Sequence, residues 1–233
     1  MDVSNEKKDI GRVFDSISLR YDFLNHLLSL SMDKAWRRAC VELLPKENEV
    51  VLDLATGTGD LAIEVIARNR ADRVVGVDIS LGMLALAKEK IERLGLQDRI
   101  ELKEGRADGL EFEDDSFDAV TIGFGVRNFI ELDKSLMEIQ RVMKPKGRLV
   151  VLEFPKVENR FVKFVFNIYF KTLLPLIGNK ISKHGYAYNY LIESIDSFLS
   201  FREFEDKLKS LGFKDVSSKS KTLGMVRIFT CSK

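Results

Sequence analysis

From Glu49 onward, short runs rich in Val, Leu and Ile alternate with segments of helical period, and few folds accept that order. The strand candidates are 50–55, 73–79, 100–104, 117–124 and 148–154. The first, second and fifth are almost continuously aliphatic, as strands covered on both faces must be. Between them lie helical segments at 60–69, 81–94 and 132–143. In the middle one, Met83, Leu84, Ala87, Ile91 and Leu94 form one stripe, with Ser80 as N-cap and Gly95 as stop. Toward the C-terminus the pattern changes to two strands, 213–222 and 225–231, joined across Leu223-Gly224 as a hairpin. The expected fold is α/β: a doubly wound, mostly parallel, seven-stranded sheet completed by a C-terminal antiparallel hairpin.

The 233 residues suit one domain of this kind. With 37 basic and 36 acidic side chains the net charge is +1, so no global field invites nucleic acid. Cys40 and Cys231 are too few and too far apart for a disulfide scaffold. The polar first dozen residues carry no signal-peptide pattern, and no run of 18 residues lacks charge, so a spanning helix is not expected. A cytoplasmic protein is the expectation. The histidines His26 and His184 stand alone rather than in a metal-ligand cluster, so no metal is predicted.

Two stretches flank the alternating core of 49–155. Residues 1–48 read as a helical cap, with Val13, Phe14, Ile17, Leu24, Leu27 and Leu28 as apolar positions. Residues 156–210 read as a helical insertion, with 211–233 as the closing hairpin. Within the insertion, 160–174 is the most lipophilic piece of the chain, its polar Lys163, Asn167 and Lys171 confined to one narrow stripe. Such a helix packs in a core, meets a second copy in a homodimer, covers a greasy substrate, or touches the membrane surface peripherally at its inner face.

The strongest local signal is Val51-Leu-Asp-Leu-Ala-Thr-Gly-Thr-Gly-Asp60, a buried strand running through two glycines into a helix. Nineteen residues after Gly59, Asp78 closes the second strand, where an acid accepts from both ribose hydroxyls of an adenosine. With Ala62 the loop also satisfies a dinucleotide pattern, so NAD and a dehydrogenase must be weighed. Asp53 argues against them: a carboxylate beside the loop repels a pyrophosphate but suits the ammonium of a methionine. The C-terminal hairpin likewise leaves no second nucleotide half. S-adenosylmethionine fits these residues, with Asp53, Thr56, Gly57, Thr58, Gly59 and Asp78 as candidate contacts and Ile79, Met83 and Gly123 beside them. After the third strand, the Ala107 N–H suits adenine N1. Arg106 cannot accept from N6, which leaves Asp108 or a backbone carbonyl for that amine.

Thr56-Gly-Thr-Gly-Asp60, Phe124-Gly-Val-Arg-Asn128, Arg141-Val-Met-Lys-Pro145, Gly147 and Leu152-Glu-Phe154 resemble the UbiE/MenG C-methyltransferases of ubiquinone and menaquinone synthesis. So do Val13-Phe-Asp-Ser-Ile17, Tyr21-Asp22, Trp36-Arg37 and Tyr190-Leu191, which spreads the resemblance over nearly the whole chain. It implies methylation of a ring carbon of a polyprenyl hydroquinone, with S-adenosylmethionine contacts at Thr58, Asp78, Arg106 and Ala107. The overall length favours demethylmenaquinol as substrate. Carbon attacks well only once the hydroquinone, whose phenol has a pKa of about 10, gives up a proton. Arg127 is expected to steady that charge or hold a water that takes the proton, unless it makes a structural ion pair; Asn128 is expected to orient a ring oxygen. Tyr21, Tyr188 and Tyr190 are expected to wall the acceptor site. A methyltransferase for another small lipophilic or phenolic acceptor is the alternative, and a binding protein without activity a further one.

Overall fold

The most aliphatic runs become the central strands of a seven-stranded sheet because side chains pack over them on both faces. The computed structural model describes residues 11, 15, 29, 31–156 and 185–233. Its elements are α1 (Met32–Val41), β1 (Asn48–Leu54), α2 (Asp60–Ala67), β2 (Ala71–Asp78), α3 (Leu81–Arg93), β3 (Ile100–Glu104) and β4 (Phe117–Gly123), then α4 (Leu132–Val142), β5 (Met143–Glu153), α5 (Gly185–Ser197), α6 (Phe201–Ser210), β6 (Lys214–Lys221) and β7 (Val226–Ser232). One sheet holds all strands in the order β3-β2-β1-β4-β5-β7-β6. The neighbours from β3 to β5 are parallel, whereas β7 runs antiparallel to both β5 and β6. The expected mostly parallel sheet with a C-terminal hairpin is therefore observed. Val51 is level with Val74 on one side and Ala119 on the other, so the central three strands share a register.

Alternate residues feed two separate cores. Leu52, Leu54, Val75, Val77, Val120 and Ile122 face α4 and α6, where Leu136, Ile139, Phe204 and Leu208 meet them. Val51, Val74, Ala119, Val150 and Leu152 face α1, α2 and α3, and pack with Trp36, Val65, Ala87 and Ile91. Fully burying one such Leu or Ile stabilises by about 1.5–3 kcal/mol, so a one-residue slip of any central strand, which would exchange the two faces, is strongly opposed. Cys40 and Cys231 are free, buried, and lie in the two different cores.

Two boundaries differ from the sequence reading. Strand β5 begins at Met143 rather than 148, because Met143 pairs with Phe117 before the ladder shifts and resumes at Arg148 opposite Ala119. The intervening turn passes through Lys146 at φ 67°. Helix α6 belongs to the main core. Ser200 accepts from the Glu203 N–H while Glu203 accepts from the Ser200 N–H, a capping box that starts the helix. Phe204 then meets Phe229 edge-on at 4.9 Å. The lipophilic stretch 160–174, most of the 1–28 signature including Tyr21 and His26, and His184 lie outside the described residues.

Candidate active site

Strand order reverses around β1, with β2 on one side and β4 on the other. The carboxyl ends of these strands therefore open a crevice. The loop after β1 enters it through Ala55 at φ 53°, Gly57 at 57° and Gly59 at 80°. Gly57 is required by this backbone angle rather than by crowding, since nothing lies within 4 Å of where its Cβ would be. At Gly125 the reason is space: a Cβ there would collide with that of Ala55. The loops after β1 and β4 thus touch, and the cleft forms beside their contact.

Asp78, at the end of β2, holds the glycine loop. Its Oδ2 accepts from the Gly57 N–H at 2.7 Å and its Oδ1 from the Ser80 N–H at 2.9 Å. Burial raises the pKa of Asp78, and the N–H groups of Ser80, Gly57 and Ile79 oppose that rise. Ser80 caps α3, accepting from the Met83 N–H at 3.1 Å. Asp15 accepts from the Ser80 hydroxyl at 2.5 Å and from the Gly82 N–H at 2.9 Å, so a residue of the N-terminal region reaches the rim of the crevice.

Asp53 lies deeper, 1% exposed, with its carboxylate taking the hydroxyls of Thr56 at 2.6 Å and Thr121 at 2.7 Å. Burial pushes its pKa up to about 6, against the pull of those hydroxyls. The folded value lies above the 3.8 of an ordinary Asp, so between pH of about 4 and 6 the folded protein keeps a proton that the unfolded chain has lost. Stability from this group is present at the acid end of that window and is lost as pH rises through it. Asp53→Asn is therefore expected to stabilise the ligand-free protein at pH 7.5 by on the order of 1–2 kcal/mol, seen as a higher thermal midpoint, and to leave the midpoint nearly unchanged at pH 4. Thermal melts at the two pH values test this; an equal fall at both would show that Asp53 stabilises the fold.

A cleft of about 760 Å³ brings together Gly57, Asp78, Ile79, Met83, Arg106, Ala107, Gly123 and Asn128, with Asp108, Phe129 and Ile130 completing its wall. A second cavity of about 420 Å³ meets it at Gly57 and Gly123 and is lined by Asp53, Thr56, Thr58, Arg37 and Asp60. Gly59 lines neither; it ends the loop as the N-cap of α2. Arg106 clamps Asp108 through Nε at 2.9 Å and Nη2 at 2.7 Å. Its hydrogen bond and charge hold the Asp108 carboxyl below the usual range.

Arg127 does not reach the cleft lining. It sits on the short turn Val126–Asn128, 5% exposed, with Nη1 at 2.7 Å from Glu153 Oε1 and Nε at 3.2 Å from the Ser194 hydroxyl. Of the two readings of Arg127, the geometry supports the ion pair. Asn128, next along the turn, lines the cleft and accepts from the Tyr190 hydroxyl at 2.9 Å. Phe124, which lines the second cavity, stacks on Phe154 at 4.8 Å, and Trp36 meets both edge-on. Sequence reasoning missed Glu153 as a partner; the structure buries this acid fully at the end of an aliphatic strand, where it needs one.

The geometry admits a sulfonium nucleoside better than a dinucleotide. A pyrophosphate on the N-terminus of α2 would lie against Asp53 and Asp60, which line the second cavity. This is the arrangement of the class I methyltransferases, whose methyl donor is S-adenosylmethionine. A SAM-dependent methyltransferase of Thermotoga maritima shares the fold, with a TM-score of 0.66 at 18% identity, covering 95% of this chain and 99% of that one. The model of the ubiE/COQ5 methyltransferase family matches residues 1–233, and the chain belongs to that family. It is similar to the ubiquinone/menaquinone biosynthesis C-methyltransferase UbiE of Geobacter sulfurreducens, 41% identical over 226 residues that cover 96% of this chain and 88% of the relative. It is also similar to the demethylmenaquinone methyltransferase of Bacteroides fragilis, 37% identical over 229 residues, covering 98% and 94%. The expected methyltransferase class and methyl donor thus hold, and the dehydrogenase reading falls. Among the described residues no helix is long and apolar enough to cross a membrane.

Proposed function

We propose that this chain methylates a ring carbon of a polyprenyl hydroquinone, converting demethylmenaquinol to menaquinol. The observation that carries the reading is the near-full-length likeness to the relatives of Geobacter sulfurreducens and Bacteroides fragilis, both named for quinone methylation. S-adenosylmethionine, when bound, supplies an electrophilic methyl on its sulfonium. Asp78 takes the ribose hydroxyls with the lone pairs that Gly57 and Ser80 leave over. The Ala107 N–H serves adenine N1, Asp108 accepts from its amine, and Asp53 faces the ammonium.

The acceptor ring enters beside Asn128. Because the Tyr190 hydroxyl donates to Asn128 Oδ1, the amide offers its two N–H groups to the cleft. Those donors favour an oxygen that is losing its proton over one that keeps it. Arg127 acts through this turn: pinned to Glu153, it holds Asn128 in place, and water rather than the guanidinium takes the proton. The 160–174 stretch meets the polyprenyl tail at the inner face of the membrane.

Incubating the protein with methyl-labelled S-adenosylmethionine and demethylmenaquinol, then locating the label by mass spectrometry and NMR, tests the reading. Label on a ring carbon is expected; label on oxygen, or none, overturns it. A benzoquinol run in parallel decides between the two ring systems.

A further inference from the structure

We propose that Asp15 is a positioning residue for the methyl donor: it fastens the N-terminal segment to the turn after β2 that bears Asp78, so that donor and segment each strengthen the other's hold. Helix α3 shows why an outside carboxylate belongs there. Its first turn contains no acidic side chain, although the N-terminus of a helix leaves N–H groups unmet and attracts negative charge. Two residues divide those groups. Ser80 Oγ accepts from the Met83 N–H at 3.1 Å, and Asp15 Oδ1 accepts from the Gly82 N–H at 2.9 Å. The Ser80 hydroxyl has a single proton, which goes to Asp15 Oδ1 at 2.5 Å. That bond keeps the lone pairs of the oxygen turned toward the helix, on a residue that is itself 0% exposed.

The same turn carries the donor site. The Ser80 N–H donates to Asp78 Oδ1, whose other oxygen takes the Gly57 N–H. One chain of hydrogen bonds therefore runs from Asp15 through Ser80 and Asp78 to the glycine loop. Ile79 stands between Asp78 and Ser80 and lines the cleft. The N-terminal segment touches it at a second point: a Cβ on Gly11 would lie 3.5 Å from the Ile79 carbonyl oxygen and 3.7 Å from its side chain. Gly11 and Asp15 are both helical and four residues apart, which places them on one face, and that face lies against 79–82. Asp15 and Ser80 are 65 positions apart, so their contact forms only when the N-terminal segment is seated on α3. By reciprocity, the free energy by which seating favours the donor-binding shape of this turn returns as tighter seating once the donor is bound.

Hydrogen exchange read beside calorimetry separates this role from a purely structural one. In the unaltered protein, saturating S-adenosylhomocysteine is expected to slow amide exchange in the peptide containing Gly11 and Asp15 by about fivefold or more. Asp15→Ala is expected to weaken S-adenosylhomocysteine by about fivefold or more and to abolish that slowing. Asp15→Asn, whose amide oxygen still accepts both hydrogen bonds, is expected to bind more tightly than Asp15→Ala and to restore most of the slowing. Asp15 is exposed, so its loss opens no core, and the amides of β1 and β4 are expected to exchange alike in all three proteins. No ligand-dependent slowing in the unaltered protein, unchanged affinity in Asp15→Ala, or lost affinity with the slowing intact would overturn the proposal. So would an Asp15→Asn variant no better than Asp15→Ala, or faster exchange in β1 and β4, which would mark a role in the whole fold. The inference rests on the methyl donor alone, so a negative quinol assay leaves it standing.

Discussion

Asp78→Ala is expected to weaken S-adenosylhomocysteine binding by about a hundredfold or more, read by calorimetry. Two losses combine. The ribose hydroxyls lose a charged acceptor, worth about 1.5–3 kcal/mol for each hydrogen bond. The Gly57 and Ser80 N–H groups also lose the carboxylate that ties the glycine loop to the start of α3. Methylthioadenosine should suffer as much as S-adenosylhomocysteine, since both carry the ribose. Undiminished affinity would mean that the nucleoside lies elsewhere.

Arg127→Ala is expected to destabilise the protein by about 3–5 kcal/mol, because it strands Glu153 as an unpaired charge at 0% exposure. Denaturant unfolding measures the loss. Replacing both partners, as in Arg127→Met with Glu153→Leu, should recover most of the stability while turnover stays low, since the turn that carries Asn128 also leans on the hydrogen bond from the Arg127 N–H to Glu153. A single variant of normal stability would remove the ion-pair account. A double variant with normal turnover would remove Arg127 from any positioning role.

These two residues mark what could and could not be read from the chain. Asp78 was legible because its work is local in pattern: an aliphatic strand, a glycine bend and an acid at a set interval each obey backbone rules that leave a trace in residue type. The same holds for the strand 100–104 and for Ser80 and Gly95, whose roles follow from period and capping. The pairing of Arg127 with Glu153 left no such trace, because the register of β4 on β5 creates it across 26 positions. Tyr190 meets Asn128 across 62 positions, and Arg37 meets Asp60 through helix packing alone. The early start of β5 was hidden by Pro145 and Gly147, residues that argue against a strand interior. Helix α6 did announce itself through Ser200 and Glu203; reading 156–210 as one piece obscured it.

The placement of β7 between β5 and β6 bears on how the chain acquires its shape during synthesis. Strand β6 precedes β7 in sequence but has β7 as its one neighbour in the sheet. A nascent chain that stops short of Val226 therefore presents the backbone ladder of β5, from Arg148 to Glu153, without its partner strand. The growing polypeptide carries a sticky seam until its final zipper tooth emerges, and a translational pause just upstream of Val226 would prolong the interval in which a chaperone must shield it.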